Sequence, residues 1–222
     1  DGRSKFLSRG RGYTLFLTGD SAVLSLREPA ATQDSNRETT NSKSRSRRPG
    51  PESRTPAVLR MQLAGANPEA KVVGLEELPG RSNYFIGNDP KKWRTDVQNY
   101  GKVKYEGAYP GIDLVYYGHQ RQLEYDFVVA PGAAPKAIRL AIAGGNQVEI
   151  DKAGDLVVKV GEGGETRFHK PLIYQPIEGA RKEIDGRYIL HSADAKSTSK
   201  NPRWEVAFEL ATYDHTQPLV ID

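Results

Sequence analysis

Along most of the chain the apolar residues recur with a period of two. Tyr13, Leu15 and Leu17 alternate with Thr14, Phe16 and Thr18, and Leu123, Tyr125, Phe127 and Val129 alternate with Glu124, Asp126 and Val128. The same spacing holds for Ile138, Leu140 and Ile142, and for Trp204, Val206, Phe208 and Leu210. Successive side chains of a strand leave opposite faces, so each run gives one apolar face and one polar or small face. Shorter runs at Lys5–Ser8, Ala22–Arg27, Ala57–Leu63, Lys71–Leu75, Tyr84–Ile86 and Val103–Tyr105 read as further strands. So do Val148–Ile150, Leu156–Val160, Leu172–Tyr174, Arg187–Leu190 and Leu219–Ile221. About fifteen short strands, separated by Gly, Pro, Asn and Asp, predict an all-β antiparallel β-sandwich. The clearest hairpin joins Ile112–Tyr117 to Gln122–Val129 through Gly118-His119-Gln120-Arg121. One short helical turn is expected at Asp89-Pro90-Lys91-Lys92-Trp93, with Asp as N-cap and Pro at the first helical position. No repeat of 20–50 residues occurs, which argues against a propeller within these residues.

One segment breaks the pattern. Pro29–Pro56 holds no apolar side chain larger than Ala30 and Ala31 and is filled by Ser, Thr, Asn, Arg and Pro. It cannot bury enough apolar area to offset backbone ordering at ~1–2 kcal/mol per residue, so residues 29–56 are expected to form one long disordered insertion. The whole of 1–222 then reads as a single sandwich-like domain, divisible into two sub-sheets. Asp1 at the start and Met61 as the only methionine suggest a processed chain or a fragment, and no signal peptide is visible.

Composition narrows the chemistry. Cysteine is absent, which excludes disulfides, zinc ribbons and thiol catalysis. No charge-free stretch exceeds nine residues, far short of the ~20 of a membrane helix, so no span is expected. The net charge of +4 hints at nucleic acid. Yet Pro29–Pro56 has six basic and three acidic residues, leaving the other 194 residues with 26 basic and 25 acidic ones. The folded part is close to neutral, and the basic run Arg45-Ser46-Arg47-Arg48 lacks the aromatic residues that stack bases. Nucleic acid drops out as the expected partner.

Candidate sites are few. Gly161-Glu162-Gly163-Gly164 lacks the Gly-Lys-Ser/Thr of a phosphate loop and reads as a hairpin turn. His119, His169, His191 and His215 are too dispersed for a metal motif, and no cofactor is expected. Glu124 and Asp126, at i and i+2, put two carboxylates ~6.5–7 Å apart on one strand face. Glycoside hydrolysis uses such a pair. A solvated strand face, with Arg121 or Arg139 pairing across the sheet, is the plainer reading. Tyrosine is densest at Tyr100, Tyr105, Tyr109, Tyr116, Tyr117 and Tyr125, mostly as core packing. A ligand groove near the hairpin tip would be lined by Tyr117, His119 and Arg121.

Several segments are familiar in order and content: Lys5–Thr18 with its Ser8-Arg9-Gly10-Arg11-Gly12, Leu78–Pro90 with Trp93, and Tyr109-Pro110-Gly111-Ile112 through Gly118. Leu123–Gly132 and the terminal Pro218–Asp222 complete the set. Together they resemble a domain of unknown function of bacterial secreted and cell-surface proteins that precedes SBBP (β-propeller) repeats. The resemblance implies export, a C-terminal propeller as partner in the same chain, and a structural, adhesion or ligand-binding role towards a glycan or surface protein. It carries no catalytic motif. A non-catalytic secreted or cell-surface module is therefore expected, with a carbohydrate-active sandwich enzyme using Glu124 and Asp126 with His119 as the alternative.

Overall fold

The computed structural model describes residues 4–10, 12–26, 56–85, 87–119, 122–161, 164–192 and 203–222. The expected insertion at 29–56 therefore lies, except for Pro56, outside the described residues. The chain opens with β1 (Phe6–Gly10), β2 (Tyr13–Leu17), β3 (Ser21–Leu26) and β4 (Ala57–Leu63), then a long pair, β5 (Lys71–Tyr84) and β6 (Arg94–Tyr109). Next come β7 (Ile112–His119), β8 (Gln122–Val129), β9 (Leu140–Ala143), β10 (Gln147–Ile150), β11 (Leu156–Val160) and β12 (Gly164–Phe168). The chain closes with β13 (Ile173–Ile177), β14 (Ala180–Ile184), β15 (Gly186–Ser192), β16 (Arg203–Leu210) and β17 (Leu219–Ile221).

These form two seven-stranded antiparallel sheets, ordered β1-β2-β3-β4-β9-β16-β15 and β14-β13-β17-β8-β7-β6-β5, with a three-stranded sheet β10-β11-β12. The protein is all-β, a sandwich, as the alternation predicts. Register puts like with like. Met61 stands opposite Ile142 and Leu63 opposite Leu140 in the first sheet, while Leu114 faces Phe127 and Ile112 faces Val129 in the second. All eight are buried, each large apolar side chain contributing ~1.5–3 kcal/mol. Phe127 meets Phe208 across the sandwich edge to face, with centroids 5.9 Å apart. The small sheet turns Val148, Leu156, Val158 and Val160 into the same core.

Two buried tyrosines tie the layers together through their hydroxyls. Tyr105 on β6 donates to the Thr18 carbonyl at 2.7 Å, and Tyr109 donates to the Arg139 carbonyl at 2.9 Å. Burial pushes the ionisation of both phenols above the ordinary range, so they stay neutral donors. The expected turn at Asp89 is a 3-10 turn over Pro90–Lys92, where the Lys91 amide donates to the Asp89 carboxylate at 3.1 Å. A second such turn, Pro135–Ala137, precedes Ile138, which is buried but stands just outside β9.

Candidate functional site: an aromatic and cationic cleft

Strands β5 and β6 reach beyond the core as an arm. Residues 74–81 of β5 offer little apolar alternation, and most of that stretch is exposed. The arm instead holds its shape by side-chain bonds across a register shift. Gln98 Nε2 donates to the Leu78 carbonyl at 2.9 Å, Asn99 Nδ2 donates to the Gly80 carbonyl at 2.9 Å, and Ser82 Oγ donates to Asn99 Oδ1 at 2.8 Å. At its far end Phe85 and Trp93 pack edge to face at 5.1 Å, and the Trp93 indole donates to the Gly87 carbonyl at 3.1 Å.

The edge strand β1 lies opposite this arm, and between them is a cleft of 780 Å³. Leu15, Leu17 and Tyr116, at the margin of the core, form its floor. Phe6 on β1 meets Tyr100 on β6 edge to face at 5.9 Å, and the Arg9 guanidinium lies 5.6 Å from the centre of the Tyr84 ring. Two glycines give the rings room. A Cβ on Gly74 would stand 2.3 Å from Tyr100 Cγ, and one on Gly10 would fall within the Tyr13 ring's contact distance. Each ring is thereby laid against backbone.

The charge of the cleft is one-sided. Lys5, Arg9, Arg94 and Lys102 line it, and no Asp or Glu among the described residues does. Lys102 is paired with Glu76 at 2.6 Å, whereas Lys5, Arg9 and Arg94 form no ion pair among the described residues. Elsewhere some cations are paired and others are not: Arg167 joins Asp151, Asp155 and Glu165, and Arg187 joins Glu209.

Tyr117 reaches the far end of the cleft, together with Gly118 and Leu123. Of His119 only the backbone is described, as the last residue of β7, opposite Gln122. Arg121 lies outside the described residues. The Tyr117 hydroxyl donates to Asp126 Oδ1 at 2.9 Å on the sheet's outer face. The Asp126 carboxyl is pushed up to about 6, first by burial, then by the neighbouring Asp222 and Glu124, with the Tyr117 bond and Arg181 opposing. Glu124 stands opposite Tyr117 in the ladder, and neither carboxylate lines the cleft. Arg139, weighed from sequence as a partner for this pair, is bound to Glu205 at 3.3 Å instead. Arg139 stands just before β9, which belongs to the other sheet.

The aromatic and cationic walls come from residues whose local pattern points only to strand, turn or core packing. Phe6 and Arg9 on one side, and Tyr84, Arg94 and Tyr100 on the other, are brought together where the edge strand β1 of one sheet lies opposite the β5–β6 pair of the other. Among the described residues no group of three or more His, Asp or Glu side chains could hold a metal ion, and no helix is long and apolar enough to cross a membrane.

A two-sheet antiparallel sandwich with a cleft at its open edge thus defines the architecture. Residues 1–222 match the family described as Domain of unknown function (DUF7948), and the chain belongs to that family. No curated protein and no solved structure matches it. The family match supports the domain of unknown function that the motifs suggested and carries no link to propeller repeats.

Proposed function

We propose that this domain is a non-catalytic ligand-binding module of a secreted or cell-surface bacterial protein, and that the cleft between β1 and the β5–β6 arm is its binding site. The observation that carries the reading is the lining: exposed cations and tyrosine rings over an apolar floor. Its volume falls within the ~300–1,000 Å³ of ordinary ligand sites. Tyr117 lines one end of this site, and the candidates His119 and Arg121 follow it in the sequence. Export and a following propeller remain part of the proposal on the strength of the sequence motifs. The test is a glycan array and surface-protein pull-down with the domain, repeated with Tyr84→Ala and Tyr100→Ala. Loss of the captured ligand in both variants supports the site. Unchanged capture in both removes it.

A second reading, a carbohydrate-active sandwich enzyme, draws on the raised carboxyl of Asp126 beside Glu124, a property suited to a general acid. It requires saccharide turnover that disappears in Asp126→Asn.

A further inference from the structure

Three features of the cleft bear on what it holds. The first is charge. The chain as a whole has 32 basic and 28 acidic residues, yet the described lining of the cleft holds four cations and no acid, and only Lys102 among the four is paired, with Glu76. Lys5, Arg9 and Arg94, all exposed, are without an ion pair among the described residues. The second is shape. Tyr84 and Tyr100 both line the cleft, one beneath Arg9 and one against Gly74, which sets aromatic side chains beside positive charge. The third is where the positive zone stops. Beyond Tyr117 the outer sheet face carries Asp126 with Glu124 and Asp222 near it and Arg181 opposing them, and burial first, then the two acids, pushes the Asp126 carboxyl up. A long polyanion running out of the cleft at that end meets like charge.

From these we infer that the ligand is a short acidic oligosaccharide, with uronate-type carboxylates on Lys5, Arg9 and Arg94 and sugar ring faces on Tyr84 and Tyr100. This rests on the reading of the cleft as the binding site. Guanidinium groups hold carboxylates through paired, charge-assisted hydrogen bonds, and the apolar face of a pyranose packs on an aromatic ring. Single-stranded nucleic acid shares the need for rings and cations, but its charge extends along the whole strand. The acidic boundary and the near-neutral remainder of the domain disfavour it.

The experiment uses the whole chain in calorimetric titrations with tetramers of galacturonate, mannuronate and glucuronate. Each is compared with its carboxyl-reduced, neutral counterpart, and a mixed-sequence single-stranded oligonucleotide is titrated alongside. The expected result is binding of at least one uronate, at least tenfold tighter than its neutral counterpart and weakening as salt rises. Arg9→Gln and Arg94→Gln should each lose about tenfold, and Lys152→Gln on a distant turn should lose nothing. Because the neutral counterpart tests charge on the unaltered protein, the result does not depend on any variant folding. Equal binding of a uronate and its reduced form overturns the acidic ligand and leaves the cleft as a site. Binding of the oligonucleotide with silence towards every uronate overturns it in favour of nucleic acid. Silence towards all of them overturns this inference, and an empty glycan array and pull-down as well would overturn the binding module too.

Discussion

The Tyr100 ring rests on Gly74, so closely that a β-carbon there would come within 2.5 Å of three ring atoms. The two residues lie on adjacent strands of the arm, and the absence of one side chain is the condition for the position of the other. Gly74→Ala should drive the ring off the backbone and cost about 1–3 kcal/mol, the usual range for overpacking. Thermal denaturation measures the loss. Tyr100→Ala added to Gly74→Ala should then cost much less than it does alone, since it also removes the clash. Additive effects would show that the contact is not the reason for the glycine.

Asp126 should make the protein's stability fall as pH rises. Its carboxyl has an ordinary value near 3.8 and is pushed up to about 6 in the folded chain, so the folded state holds the proton more firmly. The penalty for ionising it is absent below about pH 4 and fully present above about pH 6. Asp126→Asn keeps an acceptor for the Tyr117 hydroxyl and removes that penalty. The variant should match the parent at pH 4 and exceed it by on the order of 1–2 kcal/mol at pH 7, allowing for screening of a partly exposed group. Paired denaturant titrations across pH 4–8 follow the difference, and a gap that shrinks with pH would contradict it.

Gln175 is fully buried on β13 and serves a loop rather than the sheet. Its amide donates to the Asp214 carbonyl at 2.7 Å and accepts from the Asp214 amide at 3.0 Å, fixing the approach to β17. Gln175→Leu leaves the Asp214 amide without its partner, while the Asp214 carbonyl keeps the Gln217 amide at 3.2 Å, and should cost about 1–3 kcal/mol. Hydrogen exchange at the Asp214 amide should quicken in the same variant, which a uniform loss of packing would not single out.

The Tyr105 hydroxyl carries a smaller share. Tyr105→Phe retains the ring and its contacts and removes only the bond to the Thr18 carbonyl, so a loss of about 1–2 kcal/mol is expected. A denaturation midpoint equal to the parent's would mean that water satisfies the carbonyl instead.

Where one sheet face is buried, the fold was legible in the sequence. Ala57–Leu63 and Leu219–Ile221 coincide with β4 and β17, and the hairpin through Gly118 joins β7 to β8. The arm was not, because its residues face water on both sides. Lys71–Leu75 and Tyr84–Ile86 read as separate short runs, whereas β5 continues from Lys71 to Tyr84. Strand β14 escaped for the same reason, its first four residues being exposed. The site was legible only at Tyr117. Its other walls come from Phe6 and Arg9 near the beginning and from Tyr84, Arg94 and Tyr100 about 80–90 residues later, and no local spacing joins them.

The arm's irregularity has a consequence for the protein's solubility. β5 is an outer edge of its sheet, fourteen residues long, with Leu75, Leu78 and the neighbouring Phe85 exposed. A flat strand of that length and character is a template on which another chain can add itself, the first step to fibrous aggregation. Glu76 breaks the template with a left-handed backbone (φ 56°), and the ladder slips twice more between Leu78 and Tyr84. Few consecutive amides of the edge then point outwards in step. The same kinks that shape one wall of the cleft deny an incoming strand a straight edge to copy.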